Sequence, residues 1–540
     1  MVNLPQIQHA VQLIGPDEVI FNKSKAVHKP GRHQILCRIE AVGMCFSDLK
    51  LLRQFSSHAR KTKIISGIDP GILKEIPSYV PGDAATVPGH EAVVRIAAVG
   101  GEVEKFKAGE RYLVQTDYRW LPTAGSNGSF GYNFEGALQE YVLMDERVIT
   151  SPAGESMLIP VSEELSASAT ALIEPWACVE DAYASCERRT LKAGGGLLVF
   201  ADVEVAEGVP ANLFDRFGRG GQITEASDVT TLGDARYDDI VYFGSDADNV
   251  EVLFGKLAAG GLFNIALCGG KFGRDVVMPV GWIHYGGIRL IGTLGSEPAE
   301  SMGRIPRSGE VRSGDKINII GAAGPMGTMH VIRNICQGMC GVSIFAGDID
   351  ENRLAGLSRI AEMTAAKNGV AYRAYNPAGE KLTDQFDYTV LLVPEAKLVA
   401  GAVKSAAAGG IINIFAGIPA TVFTPIDLDG YIEKGLYFIG TSGSVLEDMK
   451  QVLAKVESGS LDTNVSVAAI CGLGGAAEGI RALENRAIAG KIVVYPACKG
   501  LGLTELGRLK ADLPAVAECL SGGMWNKKAE EALLRIYDKG

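Results

Sequence analysis

The sequence predicts an α/β chain in which an irregular β region precedes two tandem doubly wound units. The first 150 residues contain short alternating apolar runs and frequent turns, a pattern typical of β structure. From about residue 190 to 445, apolar strands alternate with helical stretches, which is the pattern of parallel α/β units. Within this second region one succession of motifs occurs twice in the same order, which indicates an internal duplication.

The duplication is visible at four places in each copy. The first copy, residues 186–297, carries its motifs at 191–200, 237–241, 257–265 and 291–296. The second copy, residues 298–444, carries them at 311–320, 386–390, 406–414 and 439–444. Gly-Gly-x-x-Asn-Ile and Ile-Gly-Thr-x-Gly-Ser recur in order, which favours duplication over a rhythm shared by any two doubly wound domains. The first copy is shorter, and its missing residues fall around its second strand and helix.

The remaining elements follow from local patterns. Residues 35–42 and 92–99 are predicted strands, and residues 445–456 form a predicted amphipathic helix. Residues 491–496 form a predicted closing strand, and the tail from residue 501 is mostly helical with a break at Pro514. These patterns divide the chain into residues 1–185, 186–297, 298–444 and 445–540. No low-complexity linker separates these parts.

Composition excludes several classes of partner. The net charge of -11 disfavours nonspecific nucleic-acid binding. No apolar run reaches the length of a membrane span, and the N-terminal residues 1–5 do not begin a signal peptide. The ten cysteines are scattered through the chain, which fits a reducing compartment. We therefore expect a cytoplasmic protein with neither a membrane nor a nucleic-acid partner.

The second copy carries a nucleotide-binding pattern. An apolar strand, 317–320, leads into a turn with Gly321, Gly324 and Gly327, and then into a helix. Gly324 would let the backbone approach a pyrophosphate, and Gly327 would let the helix pack on the strand. Asp348 ends the next strand, where a carboxylate favours NAD over NADP because it binds the ribose hydroxyls. The predicted cofactor-binding set is completed by Pro325, Met326 and Arg353.

The first copy has lost this pattern. Its corresponding turn carries Asp202, Glu204 and Glu207 in place of glycines. Carboxylates repel a pyrophosphate, whereas a phosphate-binding turn needs bare backbone at a helix N-terminus. We therefore predict one NAD-binding copy and one degenerate copy.

Three segments carry candidate metal ligands. Cys45 lies in residues 43–48, His90 and Glu91 lie in residues 88–91, and Glu174 lies in residues 173–178. Cysteine, histidine and carboxylate are the ligand types of catalytic zinc. Each residue alone is weak evidence, since a lone cysteine is more often a small buried hydrophobe.

Together these segments resemble the zinc-dependent medium-chain dehydrogenase/reductase family of the alcohol dehydrogenase superfamily, particularly its sorbitol and threonine dehydrogenase-like branch. The resemblance runs through most of the chain, at residues 43–48, 89–91, 99–100, 136–142, 174–175, 321–327 and 490–493. It implies a GroES-like catalytic domain, residues 1–185, which residues 445–540 complete, and two Rossmann-like domains.

The resemblance also implies roles for individual residues. Cys45 and His90 would bind one catalytic zinc, and Glu91 and Glu174 would be ligands or exchange with water. Asp48 would orient His90, and Ser47 would hydrogen-bond the substrate hydroxyl and begin the proton relay. The implied activity is NAD-dependent interconversion of an alcohol and a ketone.

The chain departs from this family at several places. Residues 56–85 are an insertion that carries the basic residues His58, Arg60, Lys61 and Lys63. We expect an exposed basic loop there; the alternative is a lid that faces the substrate. Lys50 replaces a histidine that finishes the proton relay in some members. No cysteine lies between residues 111 and 136, so we expect no structural zinc.

The tail, residues 501–540, resembles the sorbose-1-phosphate reductase-like subgroup, which favours a polyol, a sugar or a sugar phosphate as the small-molecule substrate. Two alternatives are open. One is a zinc- and NAD-dependent dehydrogenase of a hydroxy amino acid or another non-sugar alcohol, and the other is a non-catalytic NAD-binding sensor. The family resemblance also implies a homo-oligomer, although the additional copy could block or imitate the usual subunit contact.

Overall fold

The computed structural model describes residues 4–206, 208–441 and 443–537. Glu207, one of the carboxylates predicted to repel a pyrophosphate, lies outside the described residues. Residues 1–3, and Ser442 in the last motif of the second copy, also lie outside them. The chain divides into two compact units, residues 1–177 with 445–540 and residues 178–444. The division between residues 444 and 445 lies where the sequence predicts it. The division after residue 177 lies eight residues before the predicted one after residue 185.

Unit 1, residues 1–177 with 445–540, is mainly β structure. Numbered along the whole chain, its strands are β1 (Ile7–Gly15), β2 (Glu18–Ala26), β3 (Gln34–Gly43), β4 (Glu91–Val99), β5 (Arg111–Val114), β6 (Asp117–Pro122), β7 (Asn127–Ser129), β8 (Tyr141–Asp145), β9 (Leu158–Pro160), β23 (Val467–Cys471), β24 (Lys491–Val494) and β25 (Thr504–Glu505). Its helices are α1 (Phe46–Gln54), α2 (Pro70–Lys74), α3 (Glu146–Ile149), α4 (Ala167–Ala171), α14 (Leu446–Glu457), α15 (Ala476–Glu484), α16 (Leu509–Asp512), α17 (Pro514–Ala517) and α18 (Lys527–Tyr537). Helix α5 (Ile173–Ala184) begins in this unit.

Strand β3 is central to unit 1. It pairs antiparallel with β4, β8 and β24 in a sheet with the order β25-β23-β24-β3-β4-β5-β9. The predicted strands at 35–42 and 92–99, the helix at 445–456 and the closing strand at 491–496 are confirmed as β3, β4, α14 and β24. The partner of β3 in β24 comes from the C-terminal segment, so residues 445–540 complete the N-terminal sheet.

Unit 2, residues 178–444, contains the two copies. The strands are β10 (Gly196–Ala201), β11 (Gln222–Ala226), β12 (Tyr237–Phe243), β13 (Leu257–Ala266), β14 (Val276–Met278), β15 (Arg289–Thr293), β16 (Lys316–Ile320), β17 (Ser343–Gly347), β18 (Ala371–Tyr375), β19 (Phe386–Leu391), β20 (Ala406–Ile414), β21 (Thr424–Ile426) and β22 (Tyr437–Ile439). The helices are α6 (Val209–Phe217), α7 (Ala247–Phe254), α8 (Val280–Tyr285), α9 (Pro298–Arg304), α10 (Pro325–Cys336), α11 (Glu351–Asn368), α12 (Lys397–Ser405) and α13 (Leu428–Lys434).

Each copy builds one parallel sheet. The first has the order β11-β10-β12-β13-β15, and the second has the order β18-β17-β16-β19-β20-β22. Residues 227–236 join β11 to β12 in the first copy, whereas α11 and β18 fill the corresponding place in the second. The shorter first copy has therefore lost a helix and a strand after its second strand, where the sequence predicts the loss.

The helices in the described part of the chain do not combine the length and the apolar character that crossing a bilayer requires.

Gly327 tests how closely α10 packs on β16. A Cβ at this position would overlap the backbone carbonyl oxygens of Gly321 and Ala322. We expect Gly327→Ala to destabilise unit 2 by about 1–3 kcal/mol, the usual cost of overpacking. The measurement is urea unfolding followed by circular dichroism. The matched control is Gly401→Ala in α12, where a Cβ meets no atom within 4 Å and alanine improves helix propensity. Equal unfolding midpoints for the two variants would contradict the predicted overlap.

Candidate metal and cofactor sites

Three predicted metal ligands converge in unit 1. Among the described residues, Cys45, His90 and Glu91 form a group whose ligand atoms all lie within 4.8 Å of one another. His90 and Glu91 are buried, and Cys45 is partly exposed. The convergence follows from strand pairing, because Gly43 at the end of β3 is the register partner of Glu91 at the start of β4. One thiol, one imidazole and one carboxylate form a suitable donor set for zinc.

Asp48 fixes the geometry of this group. Its Oδ1 accepts a hydrogen bond from His90 Nδ1 at 3.2 Å and one from the Gly89 backbone N–H at 3.1 Å. Its Oδ2 accepts from the Cys45 backbone N–H at 3.0 Å, which also caps α1. Burial raises the pKa of Asp48, but the charge of His90 and these hydrogen bonds outweigh it and lower the pKa. An ionised Asp48 that accepts from Nδ1 leaves His90 Nε2 free to bind a metal.

Glu91 has one occupied and one open oxygen. Oε1 accepts a hydrogen bond from the ammonium of Lys491, the first residue of β24. Oε2 is buried and has no hydrogen-bond partner. Burial lowers the pKa of Lys491, but the charge of Glu91 outweighs this effect and the pKa is raised. A buried carboxylate oxygen without a partner is costly unless a cation or a donor binds it, so Oε2 fits a metal ligand.

Glu174 lies outside this group of three. It is buried near the start of α5, and its charge interacts with those of His90, Glu91 and Lys491. Burial raises the pKa of Glu174 to about 7, with His90 opposing and Glu91 adding to the shift.

The insertion, residues 56–85, is only in part the exposed basic loop that the sequence predicts, because Lys63 is exposed but Lys61 is buried. The side chain of Lys61 is fully buried, and its ammonium donates to the backbone carbonyls of Val80 and Ala84. The guanidinium of Arg60 pairs with Asp117 at 3.1 Å. Lys61 and Arg60 turn inwards because backbone carbonyls and a carboxylate are available to pair with them there.

Tyr132 connects this insertion to the metal ligands. The His58 ring stacks on Tyr132 with 5.2 Å between centroids, and Tyr132 lies 5.6 Å from the ring of His90. The Arg60 guanidinium is 5.3 Å from the same tyrosine ring. Burial, followed by the charges of Arg60 and Lys50, lowers the pKa of His58 to about 4. His58 is therefore neutral at neutral pH.

Two further predicted residues lie on α1. Ser47 is partly exposed in the first turn, two residues after Cys45, and Lys50 is exposed on the same helix. Both hydrophilic side chains therefore remain accessible beside the buried cluster.

The glycine turn of the second copy matches its predicted geometry. Gly321 follows directly after β16, and its φ of +87° is a backbone conformation that favours glycine. Gly324 caps α10 and, with Pro325 and Met326, is partly exposed at the helix N-terminus. That combination of bare backbone and a helix N-terminus can bind a phosphate.

Asp348 follows β17, as predicted. Its Oδ2 accepts from the Ala323 backbone N–H at 3.0 Å, so the carboxylate borders the glycine turn. Arg353, in the first turn of α11, forms an ion pair with Asp350 at 3.4 Å.

In the first copy, Asp202 stands where the glycine turn would begin. It accepts hydrogen bonds from Asn249 at 2.8 Å and from Tyr242. Asp202, Asp246 and Asp248 line a cleft of about 450 Å³ at this end of the sheet. Carboxylates in this place disfavour a pyrophosphate.

Known proteins share parts of this architecture. Residues 31–153 match the family model of the alcohol dehydrogenase GroES-like domain. A stretch of 151 residues is 31% identical to L-sorbose 1-phosphate reductase of Klebsiella pneumoniae and covers 28% of this chain and 36% of that protein. A stretch of 251 residues is 26% identical to mannitol-1-phosphate 5-dehydrogenase of Aliivibrio fischeri and covers 42% of this chain and 58% of that protein. The matched stretches therefore cover no more than 58% of the length of either relative.

A solved structure extends the likeness to most of the chain. The crystal structure of 2R,3R-butanediol dehydrogenase from Bacillus subtilis is 14% identical, covers 91% of this chain and 99% of that one, and has a TM-score of 0.54. At this identity the likeness concerns the fold alone. This likeness confirms the predicted fold class. The match of residues 31–153 to the GroES-like domain model and the identity with the curated relatives support the resemblance to the alcohol dehydrogenase superfamily.

Sequence reasoning missed Lys491 and Tyr132 as members of the site. Lys491 lies in the motif 490–493, but its contact with Glu91 spans 400 positions, and spacing gives no signal of it. Tyr132 lies between Phe130 and Phe134 in the loop before the motif 136–142, and nothing in that aromatic run distinguishes it as a site residue. Both contacts depend on strand pairing and loop packing that a local pattern does not encode.

Gly43 offers a test of the metal group. A Cβ at this position would overlap Glu91 Oε2 and lie 2.9 Å from Leu172 Cδ2. We expect Gly43→Ala to displace the carboxylate and to weaken metal binding at least about tenfold, as other changes around metal ligands do. Titration with Co²⁺ measures the affinity through the thiolate absorption band. Gly101→Ala is the control, because its Cβ meets open space. Equal Co²⁺ affinity in the two variants would show that Glu91 does not bind the metal.

Proposed function

We propose that this protein is a zinc- and NAD-dependent oxidoreductase that interconverts a secondary alcohol and a ketone on a polyol, a sugar or a sugar phosphate. The observation that carries the proposal is the convergence of Cys45, His90 and Glu91 with Asp48 hydrogen-bonded to His90 Nδ1. A sensor without catalysis has no need for this combination of open ligand atoms and an oriented imidazole.

The donor atoms fit zinc. Cys45 supplies a thiolate, His90 supplies Nε2 and Glu91 supplies the unpartnered Oε2. Glu174 is the fourth ligand in this proposal, and it exchanges with water. Zinc bound there would polarise the substrate oxygen, and NAD would accept the hydride.

The chain's own residues have separate tasks. Ser47, in the first turn of α1, would hydrogen-bond the substrate hydroxyl through its Oγ and would begin the proton relay by releasing its own hydroxyl proton as it takes up that of the substrate. Asp48 keeps His90 in the required tautomer, and Lys491 compensates the buried charge of Glu91. Lys50 stands where some members have a histidine that finishes the relay, and its exposed side chain could pass the proton on only by first releasing an ammonium proton to water.

The second copy would bind NAD. Gly321, Gly324 and Gly327 with Pro325 and Met326 would receive the pyrophosphate at the N-terminus of α10. Asp348 would accept hydrogen bonds from the ribose hydroxyls and would repel a 2′-phosphate. Arg353 completes this set in the first turn of α11.

The substrate class rests on the relatives. Their names describe enzymes that act on L-sorbose 1-phosphate and mannitol 1-phosphate. For this chain we infer the broader class of small polyols, sugars and their phosphates.

The principal test is NADH formation by zinc-loaded protein over a panel of polyols, sugars and sugar phosphates. We expect turnover on at least one of them and at least an approximately hundred-fold loss in Cys45→Ser, because even indirect damage to a zinc site costs ten- to a hundred-fold. Cys340→Ser is the matched control, since Cys340 is exposed and lies in unit 2.

The same experiment separates the alternatives. The panel also includes hydroxy amino acids and other non-sugar alcohols. If turnover occurs only with these, the proposed substrate class is wrong, but zinc- and NAD-dependent alcohol oxidation is retained. Absence of turnover from protein that binds both zinc and NAD would favour a sensor. Equal activity of Cys45→Ser and Cys340→Ser would overturn the proposed metal centre.

Asp348 tests the choice of cofactor. Asp348→Ala removes the ribose-binding carboxylate and its charge, so we expect NAD affinity to fall about tenfold, which corresponds to about 1.4 kcal/mol. NADP binding should improve relative to NAD. Asp348→Asn is the control for structure, because its amide oxygen can still accept from the Ala323 N–H. Fluorescence titration with NADH and NADPH gives both affinities; an unchanged ratio in Asp348→Ala would exclude this role.

A further inference from the structure

The two copies contact each other through equivalent segments. Residues 276–293 align without a gap on residues 424–441, and β14, α8 and β15 in the first segment correspond to β21, α13 and β22 in the second. Both segments contribute to one apolar cluster, in which the same aligned positions are buried on each side. These aligned pairs are Met278 with Ile426, Val280 with Leu428, Ile283 with Tyr431, Ile288 with Leu436 and Leu290 with Phe438.

The pairing of β14 with β21 has two-fold symmetry. The strands are antiparallel, and Val277 is opposite Pro425, the residue to which it corresponds in the alignment. On one side of this pair, Val276 is opposite Ile426, which corresponds to Met278 in the alignment. On the other side, Met278 is opposite Thr424, which corresponds to Val276. The Cα partners are Val276 with Ile426, Val277 with Pro425 and Met278 with Thr424. An arrangement in which residue i contacts j and the equivalent of j contacts the equivalent of i defines an isologous interface.

Two glycines repeat this reciprocity. A Cβ on Gly292 would lie 2.7 Å from Ile432, and a Cβ on Gly440 would lie 2.9 Å from the Cα of His284. Gly292 corresponds to Gly440, and His284 corresponds to Ile432. Each copy therefore places the same small residue against the same helix of the other copy. Two unrelated domains packed by chance would not produce matched contacts at matched positions.

We propose that the first copy is a covalently attached substitute for a second subunit. It covers the face of the second copy, formed by β21, α13 and β22, through which two identical copies of that domain would pair. A second copy of this chain cannot use the covered face, and any self-association must use a different surface. The inference does not depend on the proposed oxidoreductase activity.

Cysteine cross-linking tests the proposal in the full-length chain. In a homodimer through this face, Pro425 would lie on the two-fold axis opposite Pro425 of the other chain, so Pro425→Cys alone would form a disulfide between chains. Directly opposite residues on antiparallel strands have suitable spacing for such a bond. We expect Pro425→Cys to give no more covalent dimer than the unmodified protein on oxidation. The double variant Val277→Cys with Pro425→Cys should form the disulfide within one chain, identified by peptide mass spectrometry.

A covalent dimer linked through residue 425 in the single variant would overturn the proposal, as would a natively folded double variant without the 277–425 bond. Circular dichroism of the reduced variants verifies the fold. Hydrogen exchange of the unmodified protein provides a second measurement without substitutions. We expect the amides of β21 and β14 to be protected equally at low and high protein concentration. Protection of β21 that increases with concentration would show pairing between chains and would contradict the proposal.

Discussion

The site depends on the antiparallel register of β3 and β4. Because Gly43 is opposite Glu91, the residues just beyond that pair, Cys45 and His90, meet at one end of the sheet. Asp48 then joins the two segments, since it accepts hydrogen bonds from the backbone on both sides and from the His90 ring. A shift in register would separate the ligands and leave Asp48 with buried, unsatisfied oxygens. One strand pairing and one carboxylate thus set the geometry of the metal ligands.

The ion pair between Lys491 and Glu91 adds a constraint from the other neighbour of β3. Val493 in β24 is opposite Gly43, so the C-terminal segment brings the ammonium of Lys491 to the Glu91 carboxylate. Buried ion pairs contribute little net stability, because desolvation offsets their attraction. Its value here is positional: Lys491 occupies Oε1 and leaves Oε2 directed over Gly43, the one residue without a side chain to block it.

Local patterns predicted much of this molecule. The alternating runs gave β3 and β4, the glycine turn gave the N-terminus of α10, and the repeated motifs gave the two parallel sheets. The candidate metal ligands Cys45, His90 and Glu91 were named from residue type and resemblance, and the structure brings their ligand atoms together. The burial of Lys61 and the contact of Lys491 with Glu91 did not, because each depends on segments that only the folded chain brings together. The symmetric pairing of the copies was likewise inaccessible, since a sequence repeat does not specify which faces meet.

The proposed oxidoreductase function depends most directly on a zinc ion bound by Cys45, His90 and Glu91. X-ray absorption at the zinc edge, on zinc-loaded protein and on Cys45→Ser, measures the ligands without requiring a known substrate. We expect one zinc per chain, with one sulfur ligand at about 2.3 Å from the zinc and nitrogen or oxygen ligands at about 2.0–2.2 Å. The sulfur should be absent in Cys45→Ser. Zinc without a sulfur ligand, or a sulfur ligand that persists in the variant, would contradict the proposed centre.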